Sequence, residues 1–225
     1  MSNKSYCSQV PRPQATRRPS FVLAVSIAAA ILVCVPRAMA GGDAPQWMHS
    51  LVNLPLPAYD DKTDAVLLYS ETNVIVVSTD KIRIQVREAY KILRPNGRQH
   101  GTVSVRFDSQ RKLKSFHGWC IPAQGKDYEV KDKDAIERAF LPSGELASDA
   151  KLKILNIPAP DPGNIIGYEY EVEDQPLFLQ EIWGFQETDP VRESHFSLQL
   201  PPGWEYKASW LNHPEVPPTQ PGSNS

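Results

Sequence analysis

KIRIQVREAYKI, residues 81–92, is the stretch that decides the fold. Its apolar side chains occupy even positions and alternate with polar side chains at odd positions. The even set is Ile82, Ile84, Val86, Tyr90 and Ile92. Because side chains two residues apart share one face of a strand, this alternation predicts a β-strand with one buried face. Glu88 is the only even position that breaks the pattern.

Further strand patterns lie on both sides of this stretch. Upstream, residues 66–77 are dense in β-branched and apolar side chains and predict one long strand or two short ones. Downstream, period-two or apolar runs cover residues 103–107, 116–121, 128–130, 165–173, 196–200 and 206–210. Turn residues separate these runs. Asn96-Gly97 predicts a tight hairpin after the first stretch, and Pro162-Gly163 predicts a type II turn.

These elements together predict a mainly β fold. Seven or more short strands with Pro/Gly turns, and no long segment of period 3.6, indicate an antiparallel β-sandwich with few or no helices. We assign residues 65–211 to this domain, with a lead segment at residues 41–64. The one helical candidate inside the domain is residues 132–140. After Leu211, four prolines with Gly and Ser predict a linker-like segment over residues 212–225.

The first forty residues have the layout of a secretory signal peptide. Basic residues precede an apolar run over residues 21–35, which is shorter than the roughly 20 residues that a membrane-spanning helix needs. Ala38-Met39-Ala40 then supplies small residues at alternate positions. We therefore predict a signal-peptide helix in residues 1–40, cleavage after Ala40, and a periplasmic or secreted mature protein. An uncleaved N-terminal anchor is the alternative.

Charge and cysteine content limit the function of the mature chain. Five of the 24 basic residues and none of the 26 acidic residues lie in residues 1–40, so the part after Ala40 has a net charge of −7. This balance disfavours nucleic acid as a partner, since such binding depends on a basic surface. Cys7 and Cys34 lie in the predicted signal peptide and leave Cys120 alone, so the mature domain has no internal disulfide.

The sequence predicts no catalytic residue, no cofactor and no metal site. Cys120 is the only thiol after the signal peptide, and His117, the nearest histidine, has opposite strand parity. Glu169, Glu171 and Glu173 form a row that is more simply a solvated strand face than a pair of opposed catalytic carboxylates. No phosphate-binding glycine loop, nucleophile elbow or zinc-ligand spacing is present in the sequence.

Tryptophans supply the one candidate binding surface. Trp119, Trp183 and Trp204 could form a stacking platform for a sugar or a peptide, since indole combines a large apolar area with one hydrogen-bond donor. Trp210 has the parity of the inward-facing side chains, which predicts a place in the core.

Four segments resemble a known family in their order and spacing. They are residues 89–97 (AYKILRPNG), 161–170 (DPGNIIGYEY), 190–194 (PVRES) and 200–203 (LPPG). Together they resemble the bacterial exported domain of unknown function that usually precedes a transglutaminase-like domain. The resemblance implies a non-catalytic β-sandwich and places a Cys-His-Asp module outside this chain. Cys120 lies inside the sandwich region and does not correspond to the nucleophile of that module.

We therefore expect a non-catalytic, exported scaffold or interaction module that accompanies a transglutaminase-like domain or another envelope protein. The alternative is an envelope glycan- or peptide-binding module that uses the exposed tryptophans. A cysteine-dependent hydrolase or acyl transferase built on Cys120 is the third hypothesis. None of these includes a nucleic-acid partner, a cofactor, or membrane contact beyond the signal peptide.

Overall fold

The computed structural model of the protein describes residues 42–141 and 148–219. The predicted signal peptide with its cleavage site after Ala40, and residues 220–225 of the predicted linker, lie outside the described residues. Within the described ranges, no helix has the length and hydrophobicity that a membrane crossing requires. The elements are α1 (Gln46–His49), β1 (Ala65–Ser78), β2 (Lys81–Ile92), β3 (Thr102–Phe107), β4 (Lys112–Ile121), β5 (Tyr128–Lys131), β6 (Ile136–Ala139), β7 (Lys151–Asn156), β8 (Ile165–Asp174) and β9 (Ser194–Gln199), with 3-10 turns at Pro95–Gly101 and Asp132–Asp134.

The described residues form nine strands in two sheets, which confirms the predicted mainly β class. The larger sheet has six strands in the order β5-β4-β8-β2-β1-β9, and the smaller has three in the order β3-β7-β6. Neighbouring strands are antiparallel except at one edge, where β9 runs parallel to β1. The purely antiparallel expectation is corrected there. β9 follows a long connection from β8, so no hairpin sets its direction against β1.

The main core lies between the two sheets. Alternating side chains of β2, β4 and β8 face inward and meet side chains of β3 and β7. The largest fully buried members are Phe116, Ile92, Leu155 and Ile166. Burial of apolar area of this kind is the dominant favourable term in folding. The predicted inward face of β2 and β8 is confirmed.

A second core lies on the opposite face of the six-stranded sheet. The lead segment packs there through Met48, which is completely buried, and through Leu51. These side chains meet Trp119, Ile121 and others from β1, β2, β4 and β8. Gly167 of β8 makes room for this packing, because a Cβ at that position would lie 2.8 Å from the Met48 sulfur. Residues 44–59 therefore belong to the folded domain.

A bulge in β1 lets one strand serve both cores. The pairing with β2 shifts between Leu67 and Tyr69, so Leu68 is the extra residue. Such an insertion exchanges the faces of all later side chains. Before the bulge Val66 contributes to the core under the lead segment, and after it Val74 contributes to the core between the sheets.

The predicted hairpin at Asn96-Gly97 is wrong. Residues Pro95–Gly101 form a 3-10 turn that carries the chain from β2 in one sheet to β3 in the other. Gly97 is required by a close approach, since a Cβ there would lie only 2.5 Å from the backbone oxygen of Asp64. Glycine in a hairpin and glycine at a close contact look the same in a sequence.

Other local predictions have mixed outcomes. Gly163 has a φ of +93° and the Asn164 amide donates to the Asp161 carbonyl at 3.0 Å, which confirms the predicted turn. The helical candidate at residues 132–140 is wrong, because a 3-10 turn there leads into β6. The strand predicted over residues 206–210 is also wrong, since these residues have no ladder partner among the described residues.

Candidate functional site

Glu88, the residue that breaks the alternation in β2, lies on the inward face of the six-stranded sheet. Its Oε2 accepts a hydrogen bond from the Tyr90 hydroxyl at 2.9 Å and another from the Tyr168 hydroxyl. Burial raises the pKa of Glu88, and the two tyrosine hydrogen bonds oppose that shift. The pKa values of both tyrosines are raised as well, chiefly by burial. We call Glu88, Tyr90 and Tyr168 the carboxyl cluster.

His100 connects the carboxyl cluster to a neighbouring loop. Its ring stacks on Tyr90 with the centroids 4.3 Å apart. Its Nε2 lies 2.9 Å from Oδ2 of Asp189, as a close polar contact and not as an aligned hydrogen bond. His100 lies in the last turn of the 3-10 segment, and Asp189 lies in the connection that leads into β9. The contact ties this connection to the body of the sandwich.

The aromatic groove lies beside this contact. It has a volume of about 660 Å³ and is bounded by residues 183–194 on one side and, on the other, by residues 210–216 of the strandless tail that follows β9. Its rings pack on one another: Trp183 lies 5.7 Å from Phe185, and Phe185 lies 4.8 Å from His213. Glu187 and Asp189 line the groove and also act on the carboxyl cluster, since both help to raise the pKa of Tyr90.

An exposed apolar segment precedes the groove. Over residues 177–182, Leu177, Phe178 and Ile182 are each more than four-fifths exposed. Single exposed apolar side chains are ordinary, but several in one short stretch mark a contact surface. We call residues 177–182 the apolar segment. It lies in the connection between β8 and β9, close in sequence to the open edge of the larger sheet.

Cys120 lies in the main core and is fully buried. Its thiol lies 3.3 Å from the carbonyl oxygen of Ala159, to which it donates. Burial raises the pKa of Cys120 to about 11, which keeps the thiol protonated near neutral pH. The predicted opposite orientation of His117 is confirmed, since that ring lies on the other face and stacks on Trp119 at 5.7 Å. The structure therefore brings no base to the thiol from the described residues.

The glutamate row of β8 lies on the outward face of the larger sheet, as predicted. Each carboxylate meets a basic side chain of the neighbouring strand β2. The pairs are Lys81–Glu173, Arg83–Glu171 and Arg87–Glu169, at 3.1 to 3.3 Å. Exposed pairs of this kind contribute little individually. These paired acidic and basic side chains are typical of a solvated sheet face. They do not form the two opposed carboxylates that a glycosidase-type site requires. Among the described residues, no three His, Cys, Asp or Glu side chains are grouped as metal ligands.

The three predicted platform tryptophans are not brought together. Trp119 is only 5% exposed and belongs to the core under the lead segment, so its ring offers no face to a ligand. Trp204 lies in the tail and makes no ring contact with the described aromatic side chains. Of these three tryptophans, Trp183 alone lines the groove. Trp210, which parity placed in the core, lies at the groove and is partly exposed.

Several features of the site were missed from the sequence. Phe185 and Trp210 are separated by a strand and a turn, and only the course of the tail brings them to one groove. Leu177, Phe178 and Ile182 have the composition of core residues, so nothing local marks them as exposed. Glu88 did give a signal, because a single acid within an otherwise apolar face is anomalous.

Comparison with models of known protein families shows which family the chain belongs to. The family model described as a domain of unknown function with a solved structure, DUF3857, matches residues 78–224. The chain belongs to this family. The match covers β2 to β9 with the groove, and it confirms the predicted membership of a family of domains of unknown function. The association with a transglutaminase-like domain stays a prediction.

A solved structure shares the fold of this DUF3857 domain. It is the crystal structure of a protein described as a "putative protease" from Parabacteroides distasonis, with a TM-score of 0.54 and 14% sequence identity. The similar region covers 60% of this chain and 28% of that protein. At this identity the similarity shows the fold alone. A search of curated proteins finds no match to the chain.

Proposed function

We propose that this DUF3857 chain is a non-catalytic, exported interaction module that accompanies a transglutaminase-like domain. The observation that carries the proposal is the apolar segment, with Leu177 and Ile182 each 86% exposed and Phe178 81% exposed. Further along the chain, β9 forms an edge of the larger sheet and contains no charged residue and no proline. Edge strands without such protection are suited to contact with another chain.

The state of Cys120 supports a non-catalytic role. A thiol nucleophile needs a neighbouring base and a depressed pKa, whereas the pKa of this thiol is raised to about 11. Turnover of amide or ester substrates that disappears in Cys120→Ala would overturn this part of the proposal and favour a cysteine-dependent hydrolase or acyl transferase.

The partner is tested by binding. We expect the purified chain to form a complex with a transglutaminase-like domain encoded in the same gene or beside it, measured by analytical ultracentrifugation. Leu177→Asp with Ile182→Asp should abolish the complex, because two charges replace the apolar contact. Ile136→Asp is the matched control, since Ile136 is an exposed apolar side chain on the smaller sheet. Absence of a complex, or equal loss in the control, contradicts the proposal.

Export is tested on the product itself. When the full chain is expressed in a Gram-negative host, we expect the periplasmic protein to begin at Gly41, because Ala38-Met39-Ala40 fits the signal peptidase pattern. Intact-mass measurement of the periplasmic fraction gives the first residue. A product that retains residues 1–40 at the membrane would favour an uncleaved anchor, and a cytoplasmic product would contradict export.

A further inference from the structure

The aromatic groove has the dimensions of a small-molecule site. Its volume of about 660 Å³ falls within the range of roughly 300–1,000 Å³ that is typical of ligand pockets. It is separate from the apolar segment, since none of residues 177–182 lines it. A ligand in the groove and a protein partner on the apolar segment would therefore occupy different surfaces.

The rings of the groove are held in place before any ligand binds. Trp183 packs between Phe185 and Phe196, at centroid distances of 5.7 and 5.4 Å. Trp210 lies 6.3 Å from His213, which in turn packs edge-on against Phe185. Trp210 remains 37% exposed, so part of its surface is free for contact. Rings fixed by mutual packing lose little conformational entropy on binding.

Polar side chains stand beside these rings. Asp189 is fixed by its contact with His100 at 2.9 Å. Glu187 and Arg192 also line the groove, and both are exposed with no ion-pair partner among the described residues. The groove therefore offers carboxylate acceptors and a guanidinium donor next to apolar ring faces. A free anion and a free cation in one small groove favour a ligand without a strong net charge.

We infer that the aromatic groove binds a saccharide. A pyranose ring has an apolar C–H face that fits an indole ring and a rim of hydroxyls that both donate and accept hydrogen bonds. In this arrangement the sugar stacks on Trp210, and its hydroxyls bond to Glu187 and Arg192. A purely aliphatic ligand would leave these two polar groups without partners in the complex, which disfavours it.

Calorimetric titration of the full chain tests this inference. The probes are chitotetraose, cellotetraose and maltotetraose, with tetra-alanine as the peptide comparison. We expect saturable binding of at least one saccharide and none of tetra-alanine. Trp210→Ala should weaken that binding by about tenfold or more, because it removes the exposed ring. Arg192→Ala should weaken it as well, and it provides a second variant at an exposed position that leaves the rings intact.

Trp204→Ala is the matched control. Trp204 and Trp210 are each 37% exposed and both lie in the strandless tail, but only Trp210 lines the groove. We expect Trp204→Ala to bind like the wild type. Equal loss in both tryptophan variants, no saccharide binding at millimolar concentration, or binding of tetra-alanine alone would each overturn the inference. These outcomes are independent of the partner experiment, because Leu177→Asp with Ile182→Asp leaves the groove lining unchanged.

Discussion

Replacing Met48 with alanine is expected to lower the free energy of unfolding by about 2–5 kcal/mol, the range for truncating a large buried apolar side chain. Met48 is the completely buried side chain through which the lead segment packs on the larger sheet. Its sulfur packs against Gly167, which has no side chain that could move into the space that alanine leaves. Urea denaturation, monitored by the circular dichroism signal of the β-sheets, gives the change in the free energy of unfolding.

The matched control for Met48→Ala is Val52→Ala in the same segment. Val52 is 43% exposed, so its truncation should change the free energy of unfolding by only about 0.5 kcal/mol or less. A large effect of Met48→Ala with a small effect of Val52→Ala would show that residues 44–59 are part of the cooperative fold. Equal small effects would show that the lead segment does not stabilise the sandwich.

The sheet itself could be predicted because its signal is local. In β2 and β8 the buried and solvated side chains alternate. One face of the sheet packs in the core between the sheets, while part of the other face is exposed to solvent. Period two follows directly from strand geometry, so residues 81–92 and 165–173 were assigned from the sequence alone. The turn at Gly163 could also be predicted, since a type II turn requires a positive φ at that position.

The crossover after β2 could not be predicted for a different reason. Gly97 is needed because the Asp64 backbone approaches it, and Asp64 lies more than thirty residues earlier in the chain. A local pattern carries no information on such an approach. Likewise, the parallel pairing of β9 with β1 depends on where the long connection from β8 leads.

The candidate site was only partly visible for the same reason. Glu88 and Tyr90 are two residues apart, so the strand pattern placed them on one face, but it did not indicate the hydrogen bond between them. Tyr168 comes from β8 and depends on the β2–β8 register, which pairs Glu88 with Tyr168. The groove depends on the course of the tail, which has no strand pairing to predict it.

Changing Glu88 to glutamine is expected to remove a pH dependence of stability. The pKa of Glu88 is raised from its ordinary value of 4.5, so the folded protein binds a proton that the unfolded chain has released. The stability of the wild type therefore falls as pH rises from about 4.5 through the folded pKa. Glu88→Gln does not titrate and should gain stability relative to the wild type over that window.

Urea denaturation between about pH 4 and 8 measures both proteins. The other titratable groups coupled to Glu88 are Tyr90, Tyr168, Tyr170, His100 and Glu187, and all of them are present in both proteins. The difference between the two curves therefore isolates position 88. Parallel curves would contradict the raised pKa.

Glu88→Leu separates the charge from the hydrogen bonds. Glutamine keeps an oxygen that can accept from the tyrosine hydroxyls, whereas leucine has no acceptor for either of them. Each hydroxyl left without a partner costs about 1–3 kcal/mol when it stays buried. We therefore expect Glu88→Leu to be less stable than Glu88→Gln at every pH. If leucine were as stable as glutamine, the two tyrosines would not depend on position 88, and the carboxyl cluster would be a packing feature alone.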